Sequence, residues 1–175
     1  MDAGAKLFAT KGYKATTMRD IASATGMLPG SLYYHFASKQ DLLLEIYRQA
    51  VSDIEQRLED AVQGHEDPWQ RFEAGLIAHI ETVLDKNNYA KVMIGVTPGD
   101  APELKRELTT LRDGYEQRFA ALIDALPLQA TVDRKMLRLM TLGASNATQL
   151  WYRSGKQSAT EIGQAFVCLL KQPLS

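Results

Sequence analysis

One cysteine in 175 residues, no Asn-Gly or Asp-Gly hairpin between β-branched runs, and no apolar stretch near the roughly 20 residues that cross a bilayer set the first limits. A single thiol closes no disulfide within the chain, so a reducing, cytoplasmic setting is expected, with no membrane partner. Cys168 sits in the apolar run Phe166-Val167-Cys168-Leu169-Leu170 and is expected to be a buried, inert thiol. No secretory n-region or h-region opens the chain. Catalytic signatures are missing too: no His-Glu-x-x-His, Cys-x-x-Cys, Gly-x-Ser-x-Gly or phosphate loop occurs. His35, His65 and His79 are scattered, and Glu81 lies two residues from His79, on a different side of any helix. Neither an enzyme, nor a cofactor, nor a metal site is expected.

Hydrophobic residues make up 45% of the chain and charged ones 23%, enough for a core and a soluble surface. The net charge of -1 hides an asymmetry: residues 1–48 carry six Lys/Arg against four acids, and the remainder 14 against 17. A mildly basic start on an acidic body is compatible with a nucleic-acid partner.

Period-2 alternation is nearly absent and helical periodicity nearly continuous, predicting an all-α chain of nine helices. The first, marked by Ala3, Leu7 and Phe8, stops at Lys11-Gly12. Thr16 or Thr17 caps a second, Gly26 interrupts it, and Pro29 opens a third that ends near His35. Ser38 caps a long helix from Lys39 to about Val62. Further helices are expected over Trp69 to about Lys86, Tyr89 to Val96, Ala101-Pro102 to Ala125, Thr131 to Arg153 and Ser158 to Lys171. The expected division is a three-helix helix-turn-helix head at 1–46 and a six-helix body for ligand binding and dimerisation at 47–175.

Two helices of about two turns meeting at a Gly-containing turn are the helix-turn-helix layout. Ala22 is small where the helices approach, Gly26 frees the turn, and Met27 and Leu32 anchor the second helix. Pro29 and Gly30 keep that helix slim at its start, fitting a major groove about 12 Å wide. Ser31, Tyr33, Tyr34 and His35 offer hydroxyls and an imidazole to base edges and phosphates. Thr17 and Lys39 sit at helix N-termini, where phosphate is attracted, and Arg19 is within reach of a phosphate or flanking base. Phe36 reads as core of the head.

The residues Leu7-Phe8-Ala9-Thr10-Lys11-Gly12-Tyr13, Thr16-Thr17, Asp20-Ile21-Ala22, Gly26, Gly30-Ser31-Leu32-Tyr33-Tyr34-His35-Phe36 and Ser38-Lys39-Gln40-Asp41-Leu42-Leu43 resemble the N-terminal domain of the TetR family. The resemblance runs over about 45 residues and implies a transcriptional regulator that binds double-stranded DNA at a palindromic operator. It implies base or phosphate contacts from Arg19, Pro29, Gly30, Ser31, Tyr33, Tyr34 and His35, and phosphate contacts from Thr17 and Lys39. Family members usually carry further residues before the first helix, so a trimmed or late-starting chain is implied.

In the body, Val132, Met136, Leu139, Met140, Gly143, Ala144, Ala147, Leu150 and Trp151 form one stripe, and Ile162, Phe166, Leu169 and Leu170 another. Packing both against a symmetry mate predicts a homodimeric four-helix bundle, with core packing inside one subunit as the other reading. An effector pocket is expected from Trp69, Phe72, Leu76, His79, Ile80, Tyr89, Met93, Leu108, Leu111, Tyr115, Phe119 and Met140, with Asn146 and Gln149 as polar anchors; an apolar stripe at helical spacing is more often plain core. The stretches Asn146-Ala147-Thr148-Gln149-Leu150-Trp151-Tyr152-Arg153-Ser154-Gly155, followed by a short helix, and Arg112-Asp113-Gly114-Tyr115-Glu116 resemble TetR regulators of fatty-acid and steroid catabolism. That narrower likeness implies a small apolar or acyl-CoA-like effector, its phosphates met by Arg106, Arg112 or Arg153. An architectural or cell-division DNA-binding protein without an inducer is the alternative use of the same head.

Overall fold

A computed structural model describes residues 1–85 and 87–172. Among the described residues there are nine α-helices, one 3₁₀ turn and no strand. They are α1 (Asp2–Lys11), α2 (Met18–Thr25), α3 (Pro29–His35), α4 (Lys39–Val62), α5 (Pro68–Leu84), α6 (Asn88–Gly95), the turn Pro102–Leu104, α7 (Lys105–Asp124), α8 (Arg134–Trp151) and α9 (Ala159–Lys171). The expected end of the fifth helix at Lys86 lies outside the described residues; α5 itself closes at Leu84.

Where boundaries differ from expectation, the caps give the reason. Asp133, not Thr131, accepts from the Met136 backbone N–H at 3.0 Å and starts α8. The seventh helix begins three residues late, because Pro102–Leu104 first makes a 3₁₀ turn. Thr17 is the N-cap of α2 and Ser158 of α9, each reciprocated by an acid three residues on, Asp20 and Glu161. Such a capping box satisfies two otherwise orphaned backbone donors.

The described residues divide between two compact units, one within 1–53 and 86–113 and the other within 54–85 and 114–175. The first has its core in Ala5, Phe8, Ile21, Ala22, Leu32, Leu42, Leu43 and Ile46, and it includes Val92, Val96 and Leu108 from α6 and α7 and the bend between them. Packing thus groups α6 with the helix-turn-helix rather than with α5. Phe36 is partly buried against this core, as expected of it.

In the second unit α5 packs on α8 and α9. Gly163 makes the α5–α9 approach possible, since a Cβ there would lie 2.5 Å from Cγ1 of Ile77. Phe72, Leu76, Ile80 and Phe119 are fully buried in this unit. Arg134 donates to the backbone carbonyls of Ile123 and Leu126, closing the end of α7. Two sequence expectations fail. Cys168 is exposed, because Val167 takes the buried register of α9 and leaves its neighbour outside. Ile162 is only 2% exposed and buried within its own chain, so it has no surface to give a partner.

Candidate DNA interface and effector site

Residues 18–35 form two short helices joined by a tight turn. Gly26 closes α2 at φ 67°, ψ 16°, the left-handed region that a Cβ disfavours, and its N–H bonds back to Ala22. Ala22 and Ile21 on α2 and Leu32 on α3 are buried, pinning one face of each helix. The opposite face of α3 is bare: Tyr34 is 87% and Tyr33 50% exposed, and Pro29, Gly30, Ser31 and His35 are exposed beside them. The Tyr34 and His35 rings meet edge to face at 5.5 Å. Large aromatics left in water on a helix with a satisfied inner face suit contact with a partner rather than packing.

The start of α2 is closed by its own capping box and an ion pair. Thr17 Oγ1 accepts from the Asp20 N–H at 3.1 Å, and the Asp20 carboxylate accepts from the Thr17 N–H at 2.8 Å and from Lys11 Nζ at 2.7 Å. The Lys11 bond, with the Thr17 donors, holds the Asp20 carboxyl down at about 2. Thr17 and Arg19 are exposed.

Lys39 is placed differently from the other expected phosphate ligands. Its Nζ donates to the backbone carbonyls of Tyr13 and Thr16, both at 3.0 Å, and lies 4.3 Å from the centroid of the Tyr13 ring. Tyr13 in turn donates its hydroxyl to Glu103 at 3.2 Å. Burial, then the Glu103 charge, pushes the Tyr13 phenol up to about 12. No local motif announces this pair, because 90 residues separate its members.

The residues expected to meet an effector are divided between the two units. Met93 and Leu111 are partly buried against the first unit's core. There, Tyr89 donates to Asp2 at 2.7 Å, and Arg112 donates to the Tyr47 hydroxyl at 3.4 Å. In the second unit His79, Tyr115, Phe119 and Asn146 converge. Tyr115 Oη lies 2.7 Å from His79 Nδ1, and Asn146 Oδ1 lies 3.1 Å from Nε2. Since the amide oxygen only accepts, Nε2 carries the proton and donates, and Nδ1 accepts from the tyrosine O–H. The rings of His79 and Tyr115 stack at 5.8 Å, and Phe119 stands edge-on to both, at 5.4 and 5.7 Å. Burial lowers the imidazole to about 4, against the partial support of the Asn146 bond, so it is neutral at pH 7. Phe72 and Leu76 share this face of α5, two turns and one turn before His79. Asn146 and Gln149 are exposed on α8.

The arginines expected at CoA phosphates have protein partners: Arg106 with Glu107 at 3.3 Å, Arg112 with Tyr47, and Arg153 with the Tyr152 carbonyl at 3.4 Å.

The apolar stripe of α8 is open. Met136 is 53%, Met140 57% and Leu150 77% exposed, and Leu139 and Trp151 of α8, Val132 just before it and Leu169 of α9 are exposed as well. Gly143 is exposed, and a Cβ added there would meet nothing within 4 Å. Ala147, Phe166 and Leu170 are half-buried. No helix among the described residues is long and apolar enough to cross a membrane.

Residues 1–46 match the family model described as bacterial regulatory proteins, tetR family, and residues 65–174 match the tetracyclin repressor-like C-terminal domain. The chain is 33% identical over 174 residues to the HTH-type transcriptional repressor KstR2 of Mycolicibacterium smegmatis, covering 95% of this chain and 84% of the relative. KstR2 of Mycobacterium tuberculosis is 26% identical over 178 residues, covering 97% and 88%. Among solved structures, AibR in complex with isovaleryl coenzyme A and operator DNA has the same fold, with a TM-score of 0.80 at 20% identity over 96% of this chain and 94% of that one. A head with an outward aromatic face and a helical second region, matched along nearly the whole chain, leaves one conclusion: this protein belongs to the TetR family of DNA-binding transcriptional regulators and is not an enzyme.

Proposed function

We propose that the protein is a homodimeric repressor, bound to a palindromic operator in the bacterial cytoplasm and released by a small apolar effector, with an acyl-CoA thioester as the effector class. The observation that carries the DNA half is the outer face of α3, where Tyr34 is 87% exposed beside Tyr33, Ser31 and His35. Arg19, Pro29, Gly30, Ser31, Tyr33, Tyr34 and His35 are the proposed contacts to bases and phosphates, with Thr17 at a phosphate. The functional division falls at 46/47, between reading head and the rest.

Two-fold symmetry comes from α8 and α9. Their exposed Met136, Leu139, Met140, Leu150, Trp151 and Leu169, with Gly143, Ala147, Phe166 and Leu170, form a surface that water disfavours and a second copy covers. Paired heads then meet paired half-sites.

The effector reading rests on the cluster of Phe72, Leu76, His79, Tyr115, Phe119 and Asn146: an apolar wall with one neutral hydrogen-bond chain through it. Such a wall suits an acyl chain, and its polar line a thioester carbonyl. The solved AibR complex with isovaleryl coenzyme A supports this class of ligand.

The test begins with duplexes selected by the purified protein from a random-sequence pool. Palindromic winners, bound by a dimer in sedimentation and released by acyl-CoAs but not by CoA alone, are the expected result. Leu150→Glu should yield monomers that bind the same duplex at least tenfold more weakly. Non-palindromic winners, or affinity indifferent to every acyl-CoA, would remove the dimeric or the effector half respectively.

A further inference from the structure

Lys39 occupies the first position of α4, where its charge and its helix N-terminus both suggest a phosphate ligand. Its surroundings argue otherwise. An ammonium has three N–H donors. Two of them are taken by the Tyr13 and Thr16 carbonyls at 3.0 Å, and the Tyr13 ring face, 4.3 Å away, takes the remaining side of the cation. Redirecting Nζ to a phosphate would strip two carbonyls of the loop between α1 and α2 of their charged partner.

What those carbonyls belong to matters. The loop of residues 12–17 ends on Thr17, the N-cap of α2. Thr16 is fully buried and donates its hydroxyl back to the Gly12 carbonyl at 2.8 Å. Lys39 therefore ties the first turn of α4 to the residue that precedes the α2 cap. The same tyrosine is engaged from far along the chain, through its hydroxyl bond to Glu103 at 3.2 Å. Lys14, in the same loop, pairs with Asp100 at 3.1 Å, a second tie to the segment before α7.

We propose that Lys39 is a positioning residue rather than a phosphate ligand: it sets the α1–α2 loop, and with it the angle at which α2 and α3 meet DNA, and Glu103 acting through Tyr13 adjusts that setting. Glu103 thereby gives the segment before α7 a direct hold on the reading head. This role rests on the DNA-binding reading above.

The experiment uses the full chain and a duplex that it selects from a random-sequence pool, with Kd measured from 50 to 300 mM KCl and the active fraction titrated for each variant. A phosphate ligand leaves a signature: its loss lowers the slope of log Kd against log salt by roughly one. Lys39→Met, which nearly keeps the length of the side chain, should weaken binding at least tenfold with the wild-type slope and a folding midpoint well above the assay temperature. Tyr13→Phe and Glu103→Gln each weaken or remove the one hydrogen bond between them. Each should weaken binding two- to fivefold, and together no more than either alone. A slope reduced by about one in Lys39→Met overturns the proposal, as does wild-type affinity in that variant. Should Lys39→Met fail to fold, the other two decide, and wild-type affinity in both overturns it. If no duplex is enriched at all, the DNA-binding reading falls and this inference with it.

Discussion

The two surfaces on which function is placed are built in opposite ways. On α3 the proposed contact residues are bare and the buried face does the structural work, with Leu32 inside and Tyr34 outside on one helix of seven residues. Around His79 the contact candidates are themselves the packing: Phe72, Leu76 and Phe119 are fully buried, and His79 is 3% exposed. In the head, then, the proposed contacts and the packing fall to different side chains. In the second unit the proposed effector contacts and the packing fall to the same side chains.

That contrast is broken most forcefully at Phe119. Truncation to alanine should cost roughly 3–5 kcal/mol and lower the thermal midpoint by about 10 °C. A loss below about 1 kcal/mol in denaturant titrations would mean that the cluster is loosely packed, and the difference from the head would vanish.

His79 gives the next largest effect, and its sign follows from its lowered value of about 4. Well above the ordinary imidazole value of about 6.5, the ring is neutral in both folded and unfolded chains and adds no pH dependence. As pH falls from there toward the folded value of about 4, only the unfolded chain takes up the proton, so stability drops by up to about 3 kcal/mol and then levels off. Between pH 7.5 and pH 4.5, the urea midpoint should therefore fall further for wild type than for His79→Gln. Parallel curves for the two proteins would show that the ring is not held neutral by burial.

Tyr34→Ala tests the other side. Binding to the selected duplex should weaken roughly tenfold, about 1.4 kcal/mol, while the thermal midpoint stays within about a degree of wild type. A shifted midpoint with unchanged affinity would place Tyr34 in the structure rather than at DNA. Smallest is Gly26→Ala: at φ 67° a Cβ costs roughly 1 kcal/mol of stability, although nothing lies within 4 Å of it. Calorimetry reads that difference directly.

Much of this architecture is visible in the chain before folding. Every helix has a local signal, because caps, breakers and apolar spacing act over a few residues: Thr17 with Asp20, Gly26, Pro29 and Ser158 with Glu161 all sit where the backbone needs them. The reading face of α3 is legible for the same reason, since Leu32 and Tyr34 differ in polarity and burial within one turn. The effector residues are harder to place. Spacing can mark Tyr89, Met93, Leu111 and Arg112 as facing something, but not that they pack in a different unit from His79.

Sequence alone determined an all-α TetR chain, the limits of its helix-turn-helix and which side of α3 looks outward, because these follow from interactions three or four residues apart. Tertiary structure decided the rest. It turned Lys39 inward onto Tyr13 and Thr16, joined Tyr13 to Glu103 across 90 residues, and drew Asn146 to His79 from another helix. It buried Ile162 and exposed Cys168, though both are apolar side chains of one helix. Contacts of that range depend on which helices meet, and no local pattern encodes that.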